Sequence, residues 1–211
     1  MTLAHKIIGS IVSSSLGFAL LKRYAFRTPH AHLYDKDSGE MYMGRWRVVD
    51  EVTNQTGYYD CALEWHEVVQ KRKLSSRILE ALTGYSSIRL HHINRKDHDR
   101  DLHSHPFDYR TFVCKGFYAE VFDDLVVKAS RDTNTMCRLG PHGRRVIFAG
   151  DTQTGTGQKF HRISEVSPGG VWTLFCMTRN SNDWGFLVDD QFVLSRDYFA
   201  LKGIRSDGKA V

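Results

Sequence analysis

Two histidines separated by a single residue stand in the most informative segment, 99–108, which reads Asp-Arg-Asp-Leu-His-Ser-His-Pro-Phe-Asp. Side chains two residues apart in a β-strand point to the same face. If this segment is a strand, His103 and His105 therefore converge on one point, and Asp101 lies on the same face. Two imidazoles placed in this way form half of a binding site for Fe, Zn, Ni, Mn or Cu. The spacing predicts a metal centre at these two histidines.

A third metal ligand must come from a more distant part of the chain, and His161 is the best candidate. It follows a glycine-containing turn at 155–157 and stands in the run Phe-His-Arg-Ile at 160–163, which is typical of a strand. The stretch between His105 and His161 is long enough for an intervening pair of strands. We therefore expect the chain to return to the same centre at His161.

Three further side chains are candidates for catalysis beside this centre: Asp108, Tyr118 and Glu120. Asp108 comes three residues after His105, so a regular strand points it away from the metal, whereas a bulge near Pro106 reverses its direction. Glu120 lies two residues after Tyr118 on the next predicted strand. Either carboxylate can act as a fourth ligand, as a general base, or as a partner that orients a histidine.

Arginines on the predicted strands are candidates for binding an anionic substrate, provided that they face the cavity: Arg89, Arg110 and Arg162. On the first of these strands His91 and His92 alternate faces, so at most one of them points inward. His92 shares its side with Ile88 and Leu90. We therefore expect His92 to be a core histidine with a hydrogen-bond partner.

The elements that must position these residues are mostly short strands. β-Prone runs separated by turn residues occupy 87–94, 101–114, 116–122, 125–130, 144–148, 158–166, 171–178 and 185–194. Residues 41–49 favour another strand, residues 64–82 show a helical pattern, and residues 196–203 are expected to form a short closing helix. Seven or eight strands at this spacing indicate a mainly β fold, either a sandwich, a jelly roll or a small barrel.

The N-terminal run 7–21 reads IIGSIVSSSLGFALL and has Ile8, Ile11, Val12 and Leu16 at helical spacing, with small residues opposite. It is shorter than the about 20 apolar residues of a membrane span. Lys6 is a weak basic start for a signal peptide, and no convincing cleavage site follows. We expect a helix that packs on the domain or on a partner, with peripheral membrane contact as the alternative.

Length and composition favour one folded domain. The 211 residues divide into an N-terminal helix and extension (1–40), a barrel (41–203) with a helical insertion at about 50–86, and a tail (204–211). The net charge of +5 is scattered along the chain, so it does not require a nucleic-acid partner. The four cysteines form no Cys-x-x-Cys pair, which is typical of a reducing compartment such as the cytoplasm.

Several runs of the sequence resemble the small cupin-like proteins of tailed bacteriophages and prophages. They are Ser87–Ile93, Asp99–Phe107 and Gly116–Glu120, where those proteins carry a DRxLHxHP(W/F) core followed by a GxYxE strand. The resemblance covers about 41–49 and 87–200. It implies a single-domain cupin fold (a double-stranded β-helix, or jelly-roll barrel), a metal site at the three histidines, and the cytoplasm of a bacterial host. It does not imply a reaction.

Residues 106–110 read Pro-Phe-Asp-Tyr-Arg, so the glutamate that usually follows the second cupin histidine is missing. A three-histidine site is similar in ligand type to that of thiol dioxygenases, so Fe(II) is the favoured metal, with Zn, Mn and Ni as alternatives. We expect oxygenase-like or isomerase-like chemistry on a small, anionic molecule. Two alternatives stay open: a binding module without turnover, and a phage structural or host-interaction protein with a structural metal. A homodimer is compatible with each.

Overall fold

The computed structural model describes residues 2–34, 39–49, 74–97, 101–123, 143–179 and 183–201. In these ranges the chain forms four helices, namely α1 (Leu3–Ser13), α2 (Ser15–Ala25), α3 (Leu74–Thr83) and α4 (Ser195–Leu201). The strands in the same ranges are β1 (Leu33–Tyr34), β2 (Met41–Val49), β3 (Ser87–Ile93), β4 (Leu102–His103), β5 (Tyr109–Lys115), β6 (Phe117–Asp123), β7 (Gly143–Phe148), β8 (Thr152–Gly155), β9 (Phe160–Val166), β10 (Val171–Met177), β11 (Gly185–Val188) and β12 (Gln191–Leu194).

The strands form two six-stranded antiparallel sheets. The first has the order β1-β2-β3-β10-β5-β8 and the second has the order β12-β11-β4-β9-β6-β7. The eight strands from β3 to β10 place four strands in each sheet, so the chain crosses repeatedly between the two layers. This arrangement is the jelly roll that cupins use. The predicted mainly β fold is therefore confirmed.

Most predicted strands are present, but the predicted strand 101–114 is two strands with an irregular segment between them. Pro106 lies in that segment, and proline has no backbone N–H to donate to a ladder. β8 lies outside the strands that the sequence predicts, and its segment Thr-Gln-Thr-Gly is short and polar. It forms a strand because β5 supplies a complete antiparallel partner, from Tyr109 opposite Gly155 to Phe112 opposite Thr152.

The helical pattern predicted for 64–82 is observed in its second half, as α3. Residues 50–73, the predicted strand 125–130 and the predicted tail 204–211 lie outside the described residues.

Two apolar cores lie on opposite faces of the first sheet. Inside the barrel, side chains from both sheets pack together, including Val113, Tyr118, Ile163 and Val171. On the outer face, α1 and α2 cover a second core that contains Leu90, Phe112, Cys114, Trp172, Leu174 and Cys176. Burial raises the pKa of each of these two cysteines to about 12, so both thiols are small apolar groups in this core.

The N-terminal run forms two helices rather than the single helix that its periodicity predicts. α1 and α2 are bent by 78° relative to each other. The break is at Ser14, whose hydroxyl oxygen accepts a hydrogen bond from the Gly17 N–H at 3.1 Å and so caps α2. Neither helix alone is long and apolar enough to cross a membrane.

Candidate metal centre

The structure brings the three predicted ligands together at one point inside the barrel. β4 and β9 are neighbours in the second sheet, and His103 lies directly opposite His161. The Nε2 atoms of His105 and His161 are 2.9 Å apart. One ring nitrogen from each of the three histidines lies within 4.8 Å of the other two. This cluster fits one divalent metal, because three imidazoles are a common ligand set for Zn, Cu, Fe and Ni.

His105 reaches the centre by a path that differs from the expected regular strand. β4 ends at His103, and the Ser104 that follows is buried, with its N–H donating to the Gly185 carbonyl at 2.9 Å. The N–H of His105 then donates to the Gly157 carbonyl at 3.3 Å. These backbone hydrogen bonds hold residues 104–105 between β11 and the turn that contains Gly157. Both histidines therefore face the same interior space.

Burial controls the charge of the cluster. Burial, with a smaller contribution from the nearby His161, lowers the pKa of His103 to about 4. Burial and the two neighbouring histidines also hold the pKa of His105 well below its ordinary value. Both rings are therefore neutral at pH 7, which is the form that offers a lone pair to a metal.

Glu120 binds His161 on the side that faces away from the other two histidines. The carboxylate is completely buried, and its Oε2 lies 3.2 Å from His161 Nδ1. Arg145 Nε donates to Oε1 at 2.5 Å, and Gln153 Nε2 donates to Oε2 at 3.1 Å. Burial raises the pKa of this carboxyl, but the bond from His161 and the charge of Arg145 outweigh it and lower the pKa to about 2.

The ionised carboxylate holds the proton of His161 on Nδ1 and leaves Nε2 directed at His103 and His105. Of the three roles that the sequence allows for Glu120, this geometry fits the partner that orients a histidine. Tyr118 belongs to the same network, because Gln153 Nε2 donates to its hydroxyl oxygen. Tyr118 therefore supports the carboxylate rather than contacting the three histidines.

Tyr109 contacts the centre directly, and sequence reasoning missed it. Its side chain is 2% exposed, and its hydroxyl oxygen lies 3.4 Å from His161 Nε2. Its ring centroid lies 5.2 Å from that of His105 and 5.0 Å from that of Phe175. Burial raises the phenol pKa above its ordinary value, so the hydroxyl stays protonated and can donate a hydrogen bond. The available signal was its position at the start of β5, soon after His105.

Two predicted carboxylates are placed away from the centre. Asp108 is exposed, and its Oδ1 accepts a hydrogen bond from the Gly157 N–H at 2.8 Å. Its own N–H donates to Thr178 Oγ1 at 3.0 Å, so Asp108 joins two loops at the barrel end. Asp101 accepts a hydrogen bond from the Tyr198 hydroxyl at 2.9 Å. Neither carboxylate belongs to the three-histidine cluster, so a catalytic role for Asp108 at the metal does not fit this geometry.

Of the three predicted substrate-binding arginines, only Arg89 faces the interior. Arg162 follows His161 on β9 and therefore points to the opposite face. Arg110 follows Tyr109 on β5 and donates to Tyr85 Oη at 3.2 Å on the outer side. Arg110 and Arg162 therefore do not meet the condition that a substrate-binding arginine faces the cavity, because strand alternation turns each away from its inward neighbour.

The inward histidine of β3 is His91, which is 8% exposed. Its ring stacks on Phe175 with centroids 5.0 Å apart. Among the described residues its Nε2 has no hydrogen-bond partner. Arg45 lies directly opposite on β2, and Arg89 shares its face two residues away. The prediction that His92 is the core histidine is therefore wrong, because His92 is only partly buried and lies on the outer face, where its ring stacks on Trp172. The expected hydrogen-bond partner is present, since its Nε2 lies 3.0 Å from the Gly169 carbonyl oxygen.

A cavity of about 550 Å³ lies next to Tyr109, and none of the three histidines lines it. Tyr109 lines this cavity and also contacts His161, so its ring lies between the cavity and the three histidines. Polar side chains contribute much of the remaining wall: Tyr85, Asp108, Thr154, Gln158, Lys159 and Thr178. The cavity is large enough for a small molecule.

No protein-family model matches the chain, and no curated protein matches it. Solved structures with a similar arrangement include Fe(II)-HppE with the alternative substrate (S)-1-HPP (TM-score 0.38, 9% identity, 71% of this chain and 56% of that chain). They also include hydroquinone 1,2-dioxygenase PnpCD with Cd²⁺ and 4-hydroxybenzonitrile (TM-score 0.33, 13% identity, 47% and 62%). A third is a mutant of Bacillus subtilis oxalate decarboxylase OxdC (TM-score 0.34, 14% identity, 59% and 32%). The chain covers less than two thirds of each. The resemblance to phage proteins stays a prediction.

Proposed function

We propose that the protein is a metal-dependent cupin that binds one divalent metal through His103, His105 and His161 and acts on a small anionic molecule. The observation that carries this proposal is the convergence of three ring nitrogens within 4.8 Å inside the barrel. Fe(II) is the favoured metal, with Zn, Mn and Ni as alternatives, and the chemistry is oxygenase-like or isomerase-like.

The number of ligands supports an enzyme over a structural metal site. Structural zinc sites are closed by four protein ligands, whereas catalytic sites keep a position for water or substrate. Within the described ranges, the cluster contains three histidines and no further histidine, cysteine or carboxylate. When bound, the metal supplies a Lewis-acid centre with open positions.

The residues around the cluster have separate roles in this proposal. Glu120 orients His161 through Nδ1 and keeps Nε2 available. Tyr109 donates a hydrogen bond from the cavity side to a polar group of the bound molecule, because its protonated hydroxyl lies beside His161 Nε2. Phe175 contacts Tyr109, His105 and His91 and provides an apolar wall that excludes water.

The anionic end of the molecule is assigned to the inner face of β2 and β3. His91 offers a buried Nε2 there, and the strand register brings Arg45 opposite His91 and Arg47 opposite Arg89. Several cationic side chains on one interior face create a positive potential that attracts a carboxylate or phosphate group. Phe175 connects this face to the metal centre, so one small molecule can contact both.

Elemental analysis of the purified protein tests the proposal. The wild type and a His30→Ala control, which changes an exposed histidine outside the centre, are expected to hold one metal ion per chain. His103→Ala is expected to hold none. Predominant iron supports oxygen chemistry, whereas zinc supports isomerisation, hydrolysis or a structural site. If the wild type holds no stoichiometric metal after purification and after reconstitution with Fe(II) or Zn(II), the proposal is wrong.

A further inference from the structure

The first two helices expose an unusual amount of apolar surface. More than half of the large apolar side chains that are exposed in the described residues lie between residues 3 and 26. The most exposed of them are Leu3 (73%), Leu16 (72%), Leu20 (60%), Ile11 (57%), Tyr24 (56%) and Ile7 (51%). Scattered single apolar residues are normal on a surface, but a contiguous set on two adjoining helices marks an interaction site.

α1 packs on the barrel through Gly9 and Val12, whereas its larger apolar side chains are exposed. Gly9 is buried, and a Cβ at this position would lie 2.5 Å from the Gly150 carbonyl oxygen. Ile7 and Ile11 are more than half exposed. A helix that only covers a core directs its large apolar side chains inward. The close approach at Gly9 leaves these side chains available to a partner outside the barrel.

The charge of this region indicates what kind of partner the two helices bind. The chain has no aspartate or glutamate before Asp35. Lys6, Arg23 and Arg27 are exposed at the two ends of the helix pair. A basic segment combined with exposed aliphatic and aromatic side chains is typical of helices that lie in the headgroup region of an anionic membrane. A second copy of this chain presents the same positive charge and is the less complementary partner.

The geometry of the pair fits a peripheral contact rather than a span. Together the two helices have the length and apolar composition of a broken span, but they are bent by 78° and neither alone is long enough to cross a bilayer. Ile11, Leu16 and Leu20 line a groove at the bend. Val12, Phe18 and Leu21 pack on the outer core, so the barrel holds the pair in a defined orientation.

We propose that α1 and α2 form an anchor that docks the barrel on a membrane surface containing anionic phospholipid. The exposed leucines and isoleucines enter the boundary of the acyl chains, while Lys6, Arg23 and Arg27 contact the phosphates. The Nζ atom of Lys22 lies 5.2 Å from the ring centroid of Phe26 and 4.7 Å from that of Trp172, so this lysine also stabilises the fold. This proposal is independent of the metal centre.

Vesicle flotation tests it, with the full chain and with vesicles of phosphatidylcholine alone or mixed with phosphatidylglycerol. The wild type is expected to float with the mixed vesicles and to remain below the vesicles of phosphatidylcholine alone. The double variant Leu16→Ser, Leu20→Ser is expected to lose at least about tenfold in affinity, because transfer of even one leucine side chain from water to an apolar environment favours binding by more than about tenfold. Leu201→Ser is the matched control, since Leu201 is 78% exposed on α4, which packs on the other sheet.

Neutralising Lys6, Arg23 and Arg27 to glutamine tests the charge. It is expected to weaken binding about a hundredfold, because each basic side chain near an anionic surface contributes about fivefold. Unchanged circular dichroism of each variant shows that the fold is kept. Absence of flotation with the mixed vesicles overturns the proposal. A second outcome also overturns it: the wild type is a dimer that the leucine substitutions dissociate, and neither the wild type nor any variant binds lipid. A second copy of the chain then occupies this surface.

Discussion

Replacing Glu120 with glutamine tests the carboxylate that holds His161. The substitution keeps the size of the side chain and removes its charge. In the folded protein the pKa of Glu120 is about 2, against an ordinary value of 4.5. That difference stabilises the folded state by about 3 kcal/mol above pH 4.5, because one pKa unit corresponds to about 1.4 kcal/mol. The carboxyl is completely buried, so solvent does not screen this contribution.

The sign of the pH dependence follows from the lowered pKa. The stabilisation is complete above the unfolded value of 4.5 and is lost as the pH falls towards the folded value of about 2. The free energy of unfolding of metal-free Glu120→Gln is therefore expected to be lower than that of the wild type by about 3 kcal/mol at pH 7 and by about 1 kcal/mol at pH 3. Urea unfolding followed by circular dichroism measures both differences.

Glu165→Gln is the matched control on the neighbouring strand. Glu165 also pairs with an arginine, Arg144, at 3.0 Å, but both side chains are more than half exposed. An exposed pair of this kind contributes about 0–1 kcal/mol. Metal affinity gives a second readout, because loss of the group that orients a ligand weakens binding about 10–100-fold. If Glu120→Gln matches Glu165→Gln in stability at pH 7 and in metal affinity, the role assigned to Glu120 is refuted.

Three further outcomes follow from the same geometry. Tyr109→Phe is expected to keep the metal but to weaken azide binding to the Co(II)-loaded protein by about tenfold, which visible spectroscopy measures, because one hydrogen-bond donor is lost; unchanged azide affinity contradicts this. Arg89→Met is expected to weaken binding of a small carboxylate such as oxalate in calorimetry, whereas Arg162→Met, on the outer face, leaves it unchanged; equal effects would exclude the inner face as the anion site. Because the pKa of His103 is lowered from 6.5 to about 4, the unfolded chain binds a proton in this range that the folded metal-free chain does not. The contribution of His103 to the free energy of unfolding is therefore fully present above pH 6.5 and is lost as the pH falls towards 4. A free energy of unfolding in urea that does not change across this range would rule out a buried, neutral His103.

The sequence predicts the strands and the metal ligands well because both depend on local patterns. The alternation of apolar residues within each run, together with the turn residues between runs, locates β3, β6, β9 and β10 to within a residue or two. The spacing of His103 and His105 predicts that their side chains point the same way, since side-chain direction repeats every two residues along a strand. The bend at Ser14 was not predicted, although a run of three serines contains a ready N-cap for a second helix.

Which face of each strand is the interior depends on the tertiary structure. Alternation predicts that His91 and His92 point in opposite directions, but α1 and α2 give the first sheet a second apolar core, so both faces of β3 are covered. Apolar pattern alone therefore does not distinguish the inside of the barrel from its helix-covered outside. The same ambiguity left the direction of Arg110 open, because its face was decided by the packing of distant elements.

By itself, the sequence determined that this chain is mainly β and that His103, His105 and His161 are its candidate metal ligands. Only the tertiary structure decided what surrounds them. It assigned Glu120 to His161 Nδ1, brought Tyr109 to 3.4 Å from Nε2 of the same ring, and paired β8 with β5 so that Gln153 reaches Glu120. These contacts join residues far apart in the chain. Their register is set by strand pairing and core packing across two sheets, which no local pattern encodes.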